Sequence, residues 1–428
     1  MAVSSGWTAA LNAWRGDTAE TRETRTARYT VLWGFYLNDI YNSLVNDMAT
    51  AYKAQRELYT DIKGIYNPVA RLVDFYVAKV AGGALDPTGE AGALPIVGAS
   101  PETLRSIMQV WAWSRWGSNK ALWVRYAASM GDCALKIVSV DKTQVQIEVH
   151  HPGDLAECDF DRNGDVVYAK WEYTAEERDE RGAKVSFLYR EIATPDMFYM
   201  FKNGKPFDYA GNQYGGPLSS YANPYGFVPA VVTRHKLTGQ AWGMPCFHHV
   251  IDKVDDVNDL ASHLGDQIRK AVHPQWVSFG TKAGSGMERS DKVWHHPNPT
   301  GKIQALVEDI NIADCASEIQ NRLREIEQDC PELKVYQVDQ EMSGRALRLM
   351  FGDVVDRVTE ARGQYDAALV RADEMALKIG AKMGLWGAVN LTHAIGDRPI
   401  LPVDESEELL LETQRLSLEQ QRAMMTGG

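Results

Sequence analysis

The side chains best spaced for chemistry are four aspartates, Asp252, Asp255, Asp256 and Asp259. On a helix Asp252, Asp255 and Asp259 share a face, because residues three and four apart are neighbours there. Carboxylates so placed could hold Mg²⁺ for phosphodiester hydrolysis. The same pattern suits a solvated acidic face, or contacts to a neighbouring subunit. No histidine or basic residue at nuclease spacing accompanies it, which favours the second reading. The histidines fall in adjacent pairs, His150-His151, His248-His249 and His295-His296. Neighbours on a helix point about 100° apart, so these pairs chelate poorly, and no metal or other cofactor is expected. The GxxxxGK[ST] phosphate loop, the GxGxxG fingerprint, the GxSxG elbow and the HExxH zinc helix are all missing from the sequence. The expectation is a protein that is not an enzyme, with a metal-dependent phosphodiesterase on the Asp252/Asp255/Asp259 face as the alternative.

Bulk properties narrow the class. A chain of 428 residues, 45% hydrophobic, can build two or three cores. The formal net charge is −12. A protein that grips nucleic acid by its phosphates normally carries a basic patch, so this one is better suited to letting DNA pass than to holding it. The five cysteines, Cys133, Cys158, Cys246, Cys315 and Cys330, share no metal-ligand spacing, and an odd number closes no disulfide set. A reducing compartment follows as the expectation. The first residues lack the basic-then-apolar order of a signal peptide. No run reaches the ~18 apolar residues of a membrane helix. A soluble protein made in a cytoplasm is expected.

The elements that would position these residues can be read from periodicity. Residues 1–60 read as helical with loops, an aromatic-rich packing arm through Trp33, Phe35, Tyr36, Tyr41 and Tyr52. Asn67-Pro68 and Ser100-Pro101-Glu102 are helix starts, a capping side chain followed by proline. The second opens a tryptophan-rich helical region that ends near Gly131. From Cys133 the period becomes alternating, with strands at 134–138 and 145–149, hairpin signals at Asn163-Gly164 and Asn203-Gly204, and a charged loop at Glu176–Arg181. Residues 133–236 are thus a mostly antiparallel β region. Helical spacing returns from Cys246, breaks over 273–307 around two short strands near Trp276 and Trp294, and resumes from about Asn311 to Gln328. Two helices that leave and return around an excursion should lie side by side.

The longest pattern runs from Ser343 to Met383, without proline. Leu347, Met350, Phe351, Val354, Val355, Val358, Ala361, Tyr365, Ala368, Leu369, Ala372, Met375, Ala376 and Ile379 recur in steps of three and four. With Ser343 as cap and Gly384 as stop, the helix would be roughly 60 Å long. Its many charges exclude a membrane span, leaving a packed spine. One more acidic helix is expected near Asp404–Arg422. The fold class is α+β.

With this order of parts, the chain resembles the portal (head–tail connector) proteins of tailed double-stranded-DNA bacteriophages. The matching stretches are Asn67-Pro68, Gly131-Asp132-Cys133-Ala134-Leu135-Lys136-Ile137, the turn Asn223-Pro224-Tyr225-Gly226-Phe227-Val228-Pro229, Asp256-Val257-Asn258-Asp259, and Pro331 followed by Ser343-Gly344-Arg345-Ala346-Leu347. They cover roughly residues 65–385 in the family's order. The resemblance implies a ring, usually of twelve subunits (a dodecamer), at the portal vertex of the virion, assembled in the host cytoplasm. It implies a mixed helical/antiparallel wing (1–245), a stem of two helices (246–272 and 311–329), a small β clip (273–310), a tunnel loop (330–343), a long spine helix (344–384) and a crown (385–428). Implied partners are double-stranded DNA in the channel, the terminase motor, a head–tail adaptor, and the major capsid and scaffolding proteins; a membrane is not among them. DNA-facing candidates are Asp255, Asp259, Asp314, Glu318 and Glu325 on the stem, and Lys334, Tyr336, Gln337 and Arg345 near the tunnel loop. Candidates for docking the motor and adaptor are Lys282, Glu288, Arg289, Asp291 and Lys292. The tail after the spine is short and the tunnel loop slight for the family, so a small crown and a loose hold on DNA follow.

Overall fold

The structure, a computed structural model, describes residues 10–11, 21–42, 46–82, 94–140, 142–178, 182–207, 220–272, 275–279, 288–290, 293–296, 302–306, 311–337, 349–388, 390–398 and 400. The chain divides into two compact units. One comprises Met1–Gly16, Leu37–Pro68 and His249–Cys330; the other comprises Asp17–Tyr36, Val69–His248 and Pro331–Gly428. Residues 37–68, within the stretch expected as a wing (1–245), group with 249–330. Mixed α and antiparallel β structure is what the periodicity predicts, and no helix of the described residues is long and apolar enough to cross a membrane.

The larger unit is built on a long helix. Among its elements are α1 (Arg22–Tyr36), α3 (Val69–Val80), α4 (Pro101–Trp113), α5 (Trp116–Met130) and α8 (Gly352–Met383); α2 (Asn46–Gln55), α6 (Ile251–Val272) and α7 (Ile312–Asp329) belong to the smaller unit. Helix α8 has 32 residues and buries Val354, Val358, Ala361, Tyr365, Leu369, Ala372, Met375, Ala376 and Ile379, the stripe read from the sequence. It is shorter than expected, about 48 Å at 1.5 Å per residue. The uninterrupted spine from Ser343 is corrected at Phe351, which leaves helical geometry (φ −111, ψ 26) and buries its ring while Leu349 and Met350 stay exposed. Gly352 follows, and glycine supports a helix interior poorly. Ser343 lies outside the described residues. The other end is as predicted. Gly384 takes φ 78, and the Leu385 amide donates to the Gly380 carbonyl at 2.9 Å, closing the helix in a Schellman turn. Trp386 then folds back over Gly380 and donates from Nε1 to the Leu377 carbonyl at 2.9 Å.

The start signal at Ser100 is real: its Oγ accepts from the Thr103 amide at 3.2 Å. The tryptophan-rich region is two helices, broken where Arg115 adopts φ 50. Trp111, Trp123 and Tyr365 pack inside, and the two indole N–H groups find buried acceptors, Asp373 at 2.9 Å and Thr233 at 2.9 Å, as large aromatics with polar handles require.

Two sheets follow. Strands β2 (Asp132–Val140), β3 (Gln144–His150) and β10 (Ala230–Arg234) form an antiparallel sheet in the order β10-β2-β3. Strands β4 (Leu155–Phe160), β5 (Val166–Arg178), β6 (Lys184–Ala193), β7 (Met197–Lys202) and β8 (Lys205–Pro206) run in sequence order, with β9 (Ser220–Ala222) on β7. Gly164 (φ 85), Asn203 (φ 49) and Gly204 (φ 74) occupy the left-handed positions their hairpins demand. The expected charged loop at Glu176–Arg181 is partly strand: Glu176, Glu177 and Arg178 end β5 opposite Ser186, Val185 and Lys184. Opposite charges across strands explain it, with Lys184 on Glu176 at 2.9 Å and Lys202 on Glu177 at 2.7 Å. The Asn223–Pro229 turn is pinned by Asn223, whose Nδ2 donates to the Thr194 and Phe227 carbonyls (2.7 and 2.8 Å) while its Oδ1 accepts from the Tyr225 amide at 2.9 Å.

The Gly131-Asp132 junction explains itself physically. Gly131 has φ 93, and a Cβ there would sit 2.3 Å from the Gly243 carbonyl oxygen. Asp132, fully buried, accepts from the Gly243 amide at 2.7 Å and the Tyr29 hydroxyl at 2.8 Å. Gly131→Ala is expected to destabilise this unit by about 3 kcal/mol, combining left-handed strain with a backbone clash; a denaturant midpoint no different from wild type would contradict the close approach.

His235 gives a pH prediction. It is 5% exposed, with Nδ1 3.0 Å from the Tyr365 hydroxyl. Burial, with Lys236 and His248 adding, lowers its pKa to about 3 from 6.5. A depressed folded value means that this contribution to stability is present above the unfolded pKa near 6.5 and is lost as pH falls toward 3. At pH 5 the loss is about 2 kcal/mol. Urea titrations of His235→Asn between pH 7 and 4 should show a shallower fall than wild type; parallel curves would refute the assignment.

Candidate functional site: the acidic face of helix α6

Helix α6 forms because Ile251, Val254 and Val257 recur at helical spacing. It begins after a short 3₁₀ turn at His248–Val250, later than the expected start at Cys246. Its buried face is not purely apolar. Asp255, Asn258 and Ser262, at steps of three and four, are 1%, 1% and 6% exposed. That polar stripe holds Tyr41, α2 and residues 56–68, the last without helix or strand and with backbone groups that need partners.

The stripe works by named bonds. Asp255 Oδ1 accepts from the Tyr41 hydroxyl at 2.6 Å, and Oδ2 accepts from the Tyr52 hydroxyl at 2.6 Å and Arg56 Nε at 2.9 Å. Asn258 Oδ1 accepts from the amides of Ile65 and Tyr66, both at 2.8 Å, and its Nδ2 donates to the Tyr66 carbonyl at 2.9 Å. Ser262 Oγ accepts from the Lys63 amide at 3.0 Å. Asp259 accepts from the Tyr59 amide at 2.7 Å, and Asp266 accepts the Tyr59 hydroxyl. Asp252, on the open side, takes the other end of Arg56. Burial pushes the Asp255 carboxyl above its usual range, opposed by Arg56, Tyr41 and Tyr52.

These contacts correct one expectation. Asp255 faces neither solvent nor a channel, because its carboxylate is enclosed by two phenols and a guanidinium. Asp259 is half-buried and already engaged. The three aspartates of the proposed metal face therefore do not converge, and among the described residues no group of three or more His, Cys, Asp or Glu side chains could hold a metal ion. The sequence reading missed Tyr41, Tyr52, Arg56 and Asn258 as a unit. Buried tyrosines need an acceptor, and an aspartate every third or fourth position on the one helix is where such acceptors stood.

The remaining candidates fall as follows. Helix α7 starts one residue after Asn311, whose Oδ1 accepts from the amides of Ala313 and Asp314. It returns antiparallel to α6: Arg322 bridges to Asp256 at 2.8 Å, and Lys253 to Asp329 at 2.8 Å. Asp314, Glu318 and Glu325 are exposed on it, each near one partner: Asn311 at 2.6 Å, Arg322 at 3.1 Å and Lys253 at 3.7 Å. Between the two helices lies a four-stranded sheet, β12 (Glu288–Ser290), β13 (Val293–His296), β11 (Gln275–Phe279) and β14 (Lys302–Leu306) in that order. The strands expected near Trp276 and Trp294 pair in parallel, Trp276 with Val293 and Val277 with Trp294. Strands β12 and β14 carried no readable alternation. Glu288 and Arg289 pair with His295 and Trp294. Lys334, half-buried, Tyr336 and Gln337 belong to a 3₁₀ helix, Pro331–Gln337. Within it Glu332 is buried and accepts from Tyr76 at 2.8 Å. Lys282, Asp291, Lys292, Arg345 and the helix expected near Asp404–Arg422 lie outside the described residues.

No protein-family model and no curated protein sequence matches this chain. Among solved structures it is similar to a chain from "Virion of native gene transfer agent (GTA) particle", with 13% identity and a TM-score of 0.43 over 83% of this chain and 86% of that one.

Asp255→Asn would place an amide N–H₂ among donors. Unfolding is expected to become easier by about 3 kcal/mol, the order of breaking a buried charged pair. Equilibrium denaturation followed by tryptophan fluorescence measures it; a change below about 0.5 kcal/mol would mean that the carboxylate is not the node described.

Proposed function

We propose that this chain is a structural protein of a phage-type virion and, within it, the portal through which double-stranded DNA enters and leaves. The observation that carries this reading is the α6–sheet–α7 arrangement: two antiparallel helices, joined by a small four-stranded sheet, presenting exposed carboxylates at Asp314, Glu318 and Glu325. In a ring, each such side chain becomes a circle of like charge, a wall that repels phosphates and gives the duplex no sticking point. The order of motifs along residues 65–385 supports the same reading. The α6–α7 pair would be the stem and the four-stranded sheet the clip that docks the terminase and then the adaptor. A separate ATPase would drive packaging, and capsid and scaffolding proteins would surround the ring. The phosphodiesterase alternative loses its support with Asp255 enclosed.

Mass photometry and negative-stain imaging of the purified chain, alone and with the capsid and scaffolding proteins made beside it, test the reading. Twelve copies of 47.8 kDa come to about 574 kDa, and repeated head-to-tail contacts close into rings. Particles with a central hole at that mass, or one subunit heavier, are expected. A monomer under both conditions, or Mg²⁺-dependent DNA cleavage lost in Asp255→Asn and Asp259→Asn, would overturn it.

A further inference from the structure

In the larger unit, residues 390–398 run back along α8 as a strap. Several ties hold it. The Thr103 hydroxyl, on α4, donates to the Asn390 carbonyl at 2.6 Å. Strand β15 (Ala394–Ile395) pairs with β1 (Ile96–Val97), and the Gly396 amide donates to the Pro95 carbonyl at 2.7 Å. Arg398 holds Asp366 at 2.8 Å. Between these ties the strap sinks one side chain inward. The imidazole of His393 is closed to solvent, beside the equally closed carboxylate of Asp373 on α8.

Both nitrogens of that ring face oxygen. Nδ1 is 2.8 Å from the Leu391 carbonyl, and Nε2 is 3.6 Å from Asp373 Oδ2. A carbonyl has no proton to give, so Nδ1 carries one and donates it. A second proton has to lie between Nε2 and Oδ2, because without it a ring lone pair would face a carboxylate away from water. The separation is that of an ion pair rather than a hydrogen bond. Neither Nε2 nor Oδ2 has a hydrogen-bond partner among the described residues, so this proton carries the contact. The Trp111 indole, on α4, fixes the carboxylate by donating to Oδ1 at 2.9 Å.

The charged neighbours act in the same direction. Burial by itself would lower the His393 pKa, but Asp373, the Leu391 carbonyl and Glu374 together raise it. Burial raises that of Asp373, against His393 and Trp111. Glu374, also on α8, is bridged to Arg371 at 2.8 Å. Helix α4 brings Trp111 and Thr103 to the pair and the strap, and neither carries charge. At the far end of the strap, burial lowers the pKa of Lys79, with Arg362 adding, and of Lys120, with Arg398 adding. Loss of those two charges at high pH would relieve repulsion there and tighten the strap.

We propose that His393 and Asp373 form a proton-operated latch: with the proton between them the strap 390–398 is shut on α4 and α8, and when the proton leaves the strap lifts and uncovers Asp373. Because the folded pKa of His393 lies above the unfolded one, the latch is fully engaged below about pH 6.5 and disengages as pH rises through the folded value. His235 responds with the opposite sign, so the two effects separate. The latch stands independently of whether the protein is a portal.

Hydrogen exchange of the full-length protein, read by mass spectrometry between pH 6 and 9 and corrected for intrinsic rates, tests this. Amides of 391–396 should lose about tenfold in protection over that range, the equal of one pKa unit, while those of α5 keep theirs. In His393→Gln, whose side chain bonds but does not titrate, protection of 391–396 should stay level with pH. Asp373→Asn removes the carboxylate that retains the proton, so the fall should move to lower pH. Protection of 391–396 that stays constant or rises with pH in the wild type, which needs no variant to fold, would overturn the latch. So would the same fall in His393→Gln as in the wild type.

Discussion

The smaller unit depends on one buried charge. A carboxylate drawn out of water must be met by hydrogen-bond donors or it is strongly destabilising. Asp255 is met by Tyr41, Tyr52 and Arg56, and those three come from the 37–68 segment. The requirement therefore places that segment on α6, with Asn258 and Ser262 continuing the same stripe by serving backbone amides that have no ladder of their own. An acidic helix that looks available for catalysis or for a channel is, on this face, an assembly surface within the subunit. On its other side α6 meets α7 through Asp256 and Lys253, and the exposed carboxylates of α7 each stand near one partner.

The larger unit solves a different problem. Helix α8 offers a broad apolar stripe, and large aromatics pack in the same unit with their polar ends satisfied: Trp111 on Asp373 and Trp123 on Thr233. Glycines stand where backbones or rings come close. Gly131 passes Gly243 and Gly380 lies beneath Trp386, so neither tolerates a Cβ without movement. Arg371 ties the helix to the β4–β5 turn through Asp165, with two bonds of 2.8 Å. Such paired guanidinium–carboxylate contacts give direction as well as attraction.

Much of this was legible in the residues. The core stripe of α8, the Gly384 stop, the Ser100 cap, the two hairpin turns and the α6–excursion–α7 order all follow from local patterns. Others misled. Glu176–Arg178 read as loop because charged residues have poor strand propensity alone, and only the partners Lys184 and Lys202 make them strand. The spine reads as one helix because Phe351 has the right spacing, yet Phe351 leaves helical geometry with its ring buried.

The sequence by itself determined the order of helices and strands, several of their caps and the sides that carry their apolar residues, because period, caps and glycines act over a few residues. Tertiary structure decided which charges are free. Asp255 and Asp259 are alike in sequence and both sit on α6, but one is enclosed by groups about two hundred positions away and the other is only half covered. Burial depends on what long-range packing brings to a side chain, and no local pattern carries that information.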